Sequence, residues 1–274
     1  MGVFLAIGSL GEPFLPGKVL KKSIDFISSL KSLGNPIQIS TKCSIPLAPM
    51  LKDINVLVTV VTLKKHRQIE KGVPSPIERM NNAKRAFDVG AIPTLFVRPI
   101  IPGITDVEME NILDEAKTTG FRSVVFGTLR VTSSTIKRLK NAGIDVEPIL
   151  SRVKNLSKSQ RYIIGADLKQ SAMEMAKEKG LIGLGSACCA NALAHGVPCM
   201  DVRWLWRRCT FCPNNCREKI PNEDEVLELL RSKNLKGIIE RSHILLDKES
   251  YKKLRQSERY KLEILSRRII SRAI

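Results

Sequence analysis

Short apolar, β-branched runs alternate with amphipathic helical stretches through the first half of this chain, and that alternation restricts the fold more than any other feature. The runs lie at residues 3–8, 36–40, 55–62, 94–100 and 123–129, with a shorter one at 145–149. Between them, residues 18–33 place Val19, Ile24, Ile27 and Leu30 near helical spacing. Residues 76–89 carry Ile77, Met80, Ala83 and Phe87, and residues 106–119 carry Val107, Met109, Ile112, Leu113 and Ala116. Gly34, Gly90 and Gly120 follow the three helical stretches, where a left-handed C-cap favours glycine. Strands alternating with helices predict right-handed βαβ units and a parallel sheet. The first strand follows Met1-Gly2 directly, so it is expected either at a sheet edge or beside a strand that belongs upstream.

At 274 residues the chain can bury a full core, as one large domain or one domain with an appendage. Its 43% hydrophobic and 26% charged content is that of a soluble globular protein. No apolar run approaches the roughly 18 residues of a membrane span. No leader-like segment precedes the first strand, so a cytoplasmic protein without a membrane partner is expected. Lys+Arg 45 against Asp+Glu 27 gives a net charge of +18, an excess that attracts polyanions, nucleic acid first among them. A solvated lysine-rich surface has the same composition. Aromatic residues at 5% also leave few platforms for stacking bases.

Polar side chains gather at the carboxyl ends of the strands. Ser9 and Glu12 follow the first, and Ser40, Thr41 and Lys42 end the second. Thr62, Lys64 and Lys65 follow the third, Arg98 ends the fourth, and Thr128 and Arg130 end the fifth. The amino ends are plainer: Asn35-Pro36, Asn55, Ile92-Pro93 and Phe121-Arg122. Ligands of parallel α/β barrels and sheets bind at the carboxyl ends, where loops converge, and a site is expected there.

Five segments go further: Ile7-Gly8-Ser9-Leu10-Gly11-Glu12-Pro13; Gln38-Ile39-Ser40-Thr41-Lys42; residues 55–63; residues 70–79, Glu-Lys-Gly-Val-Pro-Ser-Pro-Ile-Glu-Arg; and residues 98–106, Arg-Pro-Ile-Ile-Pro-Gly-Ile-Thr-Asp. In this order, over roughly the first 130 residues, they resemble radical SAM proteins of the spore photoproduct lyase and DNA-repair-photolyase-like group. Gly11-Glu12 stands where Thr-Asp is more usual in that group. The resemblance implies a partial, open parallel α/β barrel of six strands. It also implies reductive cleavage of S-adenosylmethionine to a 5′-deoxyadenosyl radical that abstracts hydrogen from a substrate. By strand-end position, Ser9 and Glu12 would line the S-adenosylmethionine edge, with Ser40, Lys42, Thr62 and Arg98 at the barrel mouth. The group carries Cys-x3-Cys-x2-Cys after its first strand, where three thiolates hold a four-iron four-sulfur cluster. No cysteine precedes Cys43 here. The expectation is therefore a barrel with its first strand and cluster loop missing, truncated or completed by an N-terminal segment or a separate subunit.

Seven cysteines in an intracellular-looking chain point to metal or redox chemistry rather than disulfides. Cys43 stands alone and reads as a packed thiol. Cys188, Cys189, Cys199, Cys209, Cys212 and Cys216 crowd one short stretch. Cys209, Cys212 and Cys216 are spaced x2 then x3, the reverse of the radical SAM order, with Pro213-Asn214-Asn215 supplying turn chemistry. A closed site needs a fourth ligand, for which Cys188, Cys189, Cys199 and His195 are candidates. The spacing leaves zinc and an iron–sulfur cluster both open, and the resemblance favours an auxiliary iron–sulfur cluster. Trp204 and Trp206 would shield such a site or pack in the core.

Asn222 with Glu225 fits a helix N-cap before Val226, Leu227, Leu229 and Leu230, and residues 250–274 read as a basic helix. The expected organisation is a partial radical-SAM-like α/β barrel at 1–150, a cysteine-rich extension at 151–220 and a basic helical tail at 221–274. The expected function is radical chemistry derived from S-adenosylmethionine, acting on nucleic acid. The alternative is a non-catalytic zinc or iron–sulfur protein that holds nucleic acid through its basic surface.

Overall fold

The computed structural model describes residues 3–199 and 212–273. Its centre is a six-stranded parallel sheet with strand order β1-β2-β3-β4-β5-β8. The strands are β1 (Leu5–Ile7), β2 (Ile37–Thr41), β3 (Asn55–Thr59), β4 (Ile92–Ile100), β5 (Ser123–Thr128) and β8 (Ile182–Leu184). Crossover helices α1 (Lys18–Lys31), α3 (Pro76–Ala86), α4 (Met109–Thr118) and α7 (Ala166–Glu178) return the chain between them. The alternation read from the sequence thus produces the expected α/β architecture. Local chemistry fixes the boundaries. Ser75 and Glu78 form a reciprocal capping box at the start of α3, with Pro76 inside the first turn.

Each strand shows different residues to its two faces. Ile37, Ile39, Val56, Val58, Leu95, Val97, Val124 and Phe126 point outward into the main core against Ile27, Met80, Ile112, Leu113 and Ala176 of the helices. Burying a side chain of this size stabilises the fold by about 1.5–3 kcal/mol. The inner face carries Leu57, Phe96, Val125 and Leu184, and α8 (Ala187–His195) packs on it through Ala190, Cys189 and Leu193. Below these residues runs a buried polar ladder. Gln38 Nε2 donates to Asn55 Oδ1 (2.6 Å), Asn55 Nδ2 donates to Thr94 Oγ1 (2.9 Å), and Thr94 Oγ1 meets Ser123 Oγ at 3.1 Å. Gln38 Nε2 also donates to Ala187 O (2.8 Å), tying α8 to the sheet. The amino ends of the strands are therefore less plain than the sequence suggests, because alternation turns their polar residues inward where they satisfy one another.

Several sequence expectations change. The apolar run at 145–149 is not a strand: Glu147–Leu150 is the short helix α6, begun by Asp145 Oδ1 accepting from Glu147 N (3.0 Å). Its apolar residues fill a satellite core with Val61, Ile101, Val131 and Ile136, so burial rather than strand pairing explains them. The sheet does not stop at residue 150, since β8 at 182–184 pairs with β5. Residues 250–274 do not form one helix. α10 (Lys248–Lys253) breaks at extended Leu254, α11 (Gln256–Ser266) ends at left-handed Arg267, and β11 (Ile269–Arg272) pairs in parallel with β10 (His243–Leu246). With β9 (Gly237–Ile239) and α9 (Glu223–Arg231) they enclose Val226, Leu230, Ile244, Leu246, Leu262 and Ile270 in a core of their own. A straight helix would leave the apolar residues at 262–270 without that core. The N-cap expected at Asn222 is present as a capping box with Glu225. Among the described residues no helix is long and apolar enough to cross a membrane.

Candidate active-site cleft and cysteine cluster

A cleft of about 740 Å³ opens at the carboxyl ends of the central strands. Ser9, Glu12, Ser40, Lys42 and Arg98 all line it, as does Arg130. Gly8 lets the first loop enter this space. It holds φ at +89°, and its α-carbon lies so close to β2 that an added methyl group would stand 2.3 Å from Ser40 O. Glu12 then clamps the loop to the end of β2: Oε1 accepts from Thr41 Oγ1 (2.5 Å) and Oε2 from Lys42 N (2.7 Å). Both carboxylate oxygens are used within the protein, so Glu12 positions the loop.

Lys42 reaches back to Glu70, Nζ to Oε1 3.1 Å. Glu70 is itself buried against Arg79, whose Nη2 donates to Glu70 Oε2 (2.6 Å) while Nη1 donates to Thr59 O (2.5 Å). Arg98 is exposed, and its stem lies across Gly127 of β5, where an added Cβ would stand 2.6 Å from Arg98 Cδ. Gly127→Ala is expected to leave folding nearly intact, because a flexible side chain gives way, yet to move Arg98 out of the cleft. Unfolding by urea together with ligand affinity checks this: a stable variant with wild-type affinity would separate Arg98 from the site.

Thr62 does not join the others. It is fully buried, donates to Glu108 (3.0 Å), and accepts from Lys65 N (2.9 Å), so it anchors the loop after β3. Residues overlooked in the sequence complete the lining: Gln38, Thr59, Phe96, Gln160 and Ala187. For the strand residues the signal was available, since Gln38 and Ser40 alternate with Ile37 and Ile39. Gln160 and Ala187 arrive from distant loops with no local mark. Beside the cleft, Arg130 of the ribbon β6 (Arg130–Val131) and β7 (Arg161–Tyr162) lies over the exposed Tyr162 ring, 4.2 Å from its centroid.

With the sheet, its helices and the cleft in place, comparison with solved structures is decisive for the fold. A substituted spore photoproduct lyase with bound AdoMet and dinucleoside spore photoproduct superposes with a TM-score of 0.50, at 12% identity, over 65% of this chain. The fold is that of spore photoproduct lyase. A second structure, spore photoproduct lyase complexed with dinucleoside spore photoproduct, aligns with a TM-score of 0.49 at 12% identity, again over 65% of this chain. The match spans 57% of each lyase chain. The group that the sequence resembles is thus the one whose fold it adopts. No family model and no curated protein matches the chain.

The cleft residues offer a guanidinium, that of Arg98, able to pair with a carboxylate, and the hydroxyls of Ser9, Ser40 and Thr128. They do not suit an iron–sulfur cluster. Among the described residues none lining the cleft is a cysteine, and Cys43, nearby in sequence, is buried. Burial, and secondarily the Glu12 carboxylate, push its thiol pKa up.

The later cysteines gather at α8. Cys188 Sγ and Cys199 Sγ are 2.9 Å apart, and Cys216 Sγ accepts from Cys199 N (3.4 Å) and from Asn214 Nδ2 (3.2 Å). Cys189 Sγ lies 3.1 Å from Ser186 Oγ. Hydrogen bonding with Cys199 holds the Cys189 thiol below its ordinary range, while its bonds to Cys188 and Cys189 push Cys199 up. Cys212 packs near Cys189 on the inner-face core. His195 turns away, its Nδ1 2.9 Å from Asn191 O. Cys209, Trp204 and Trp206 lie outside the described residues. Among the described residues no three His, Cys, Asp or Glu side chains form a ready-made shell around one ion.

Proposed function

We propose that the chain is the barrel portion of a radical-SAM-like protein that binds S-adenosylmethionine in the cleft and acts on nucleic acid. One observation carries the reading: Ser9, Glu12, Ser40, Lys42 and Arg98, on three separate segments, converge on one cleft at the carboxyl ends of the strands. In this reading Arg98 receives the methionyl carboxylate, and Ser9 and Ser40 hydrogen-bond its polar edge. Lys42, steadied by Glu70, holds a second anionic group. When bound and reduced by an iron–sulfur cluster, S-adenosylmethionine supplies a radical that abstracts a substrate hydrogen atom. The thiolates for that cluster would come from a segment or subunit outside this sequence. The late cysteines form a separate metal site, iron–sulfur or zinc.

Arg98→Met is expected to weaken S-adenosylmethionine binding by at least tenfold, in line with losing a charge-assisted hydrogen bond worth about 1.5–3 kcal/mol. Calorimetric titration of the purified chain measures it, and an unchanged affinity removes Arg98 from the site. A non-catalytic nucleic-acid binder is the second reading, favoured by the cationic rim of Lys42, Arg98 and Arg130. Salt-dependent oligonucleotide binding without any S-adenosylmethionine affinity would select it.

A further inference from the structure

We propose that Cys188, Cys189, Cys199 and Cys216 bind a single tetrahedral thiophilic ion of the zinc class, and that this ion fastens the C-terminal unit to the barrel. The proposal deepens the metal-site reading above and is independent of the chemistry assigned to the cleft.

Distance separates the candidate metal groups. Cys188 Sγ and Cys199 Sγ stand 2.9 Å apart. A disulfide would bring them to about 2.05 Å. Thiolates about 2.3 Å from one tetrahedral zinc stand roughly 3.8 Å from one another. In a four-iron cluster each thiolate takes a different iron, which holds the ligating sulfurs well beyond contact. Sulfurs this close therefore fit one shared ion, reached by a small separation of the pair, and do not fit a four-iron cluster. Cys189 also contacts the Cys199 thiol, and Cys188, Cys189 and Cys216 all pack on the same small core with Cys199.

The surroundings are those of bound thiolate. Cys216 Sγ accepts two N–H bonds, from Cys199 N and Asn214 Nδ2, the outer-shell pattern that orients a ligand and stabilises charge on sulfur. Asn214 is buried and fixed in turn: Nδ2 donates to Val197 O (2.8 Å), and Oδ1 accepts from Lys219 Nζ (2.7 Å). Cys188 and Cys189 sit in the first turn of α8, where the helix dipole favours negative charge. Four thiolates around a divalent ion leave excess negative charge, and a buried cation faces it. Arg267 is 0% exposed at the corner between α11 and β11; burial lowers its pKa, and the charges of Cys188, Cys199 and Cys216 oppose that shift.

These parts come from different places in the chain. Cys188 and Cys189 belong to the helix filling the inner face of the sheet, Cys199 and Cys216 to the following segment, and Arg267 to the C-terminal unit. Phe4 beside β1 and Ile220 before α9 pack on the same cluster. An ion here ties the barrel to the C-terminal unit.

Cobalt titration of the intact, reduced wild-type chain is the primary test, because it needs no variant. One cobalt per chain, with intense thiolate charge-transfer and tetrahedral d–d absorption bleached by one zinc, is the expected result. Elemental analysis should then find zinc without stoichiometric sulfide. Cys188→Ser, Cys199→Ser and Cys216→Ser should each lower zinc affinity by at least a hundredfold, whereas Cys43→Ser should leave it unchanged. Iron and sulfide in equal amounts would overturn the proposal in favour of a cluster. Absence of cobalt binding, or a Cys188–Cys199 disulfide in the mass spectrum of the protein purified without reductant, would overturn it outright. Arg98→Met should retain zinc whatever it does to S-adenosylmethionine binding, so the two readings fail separately.

Discussion

Arg79→Met is expected to cost about 3–5 kcal/mol of folding stability, the range for removing one partner of a buried ion pair. Arg79 is 1% exposed and Glu70 6%, and their contact is a 2.6 Å charge-assisted hydrogen bond. Methionine fills much of the same volume, so the loss is electrostatic. The Glu70 carboxylate would stay buried with Lys42 as its remaining cation, and Thr59 O would lose the donor that now reaches it at 2.5 Å. Urea unfolding measures the change, and the double variant Glu70→Gln with Arg79→Met should recover much of it, because no buried charge remains. A loss below about 1 kcal/mol for the single variant would mean that the pair does not support the fold. Lys42 and Thr59 both line the cleft, so the same variant should loosen its rim.

Gly8→Ala is expected to be nearly as disruptive and to remove ligand binding with it. Its φ of +89° costs a side chain on the order of 1–3 kcal/mol. The new methyl group would also meet the backbone oxygen of Ser40, a neighbour that cannot rotate away. Relief requires the first loop to lift from β2, which breaks the Glu12 bonds to Thr41 and Lys42 and carries Ser9 out of the cleft. Thermal unfolding and ligand titration should therefore change together. A variant destabilised yet still binding with wild-type affinity would show that the first loop takes no part in the site. Gly127→Ala makes the useful contrast, since there the obstacle is a side chain.

The two glycines show why parts of the site were readable in advance and others were not. Strand-end position placed Ser9, Glu12, Ser40, Lys42 and Arg98 together because parallel connections bring every carboxyl end to one side of the sheet. The same rule misplaced Thr62, which satisfies the Glu108 carboxylate instead. It also could not foresee that Glu12 spends both oxygens on its own loop, or that Glu70 and Arg79 support Lys42 from beneath. Those outcomes depend on which partner lies within hydrogen-bond distance, and the partners are up to 46 residues away in sequence.

The cysteines and the C-terminal unit follow the same division. Their crowding in sequence pointed to a metal, but spacing alone left zinc and iron–sulfur open. The approach of Cys188 to Cys199 and the arrival of Arg267 depend on a turn, a helix and a distant corner packing together. Periodicity, caps and glycine stops determined the first half of the fold by themselves, because helices and parallel strands follow from local patterns of burial. The break of the tail into two helices and a strand was decided in three dimensions. There its apolar residues had a second core to enter, and a straight helix would have left them outside it.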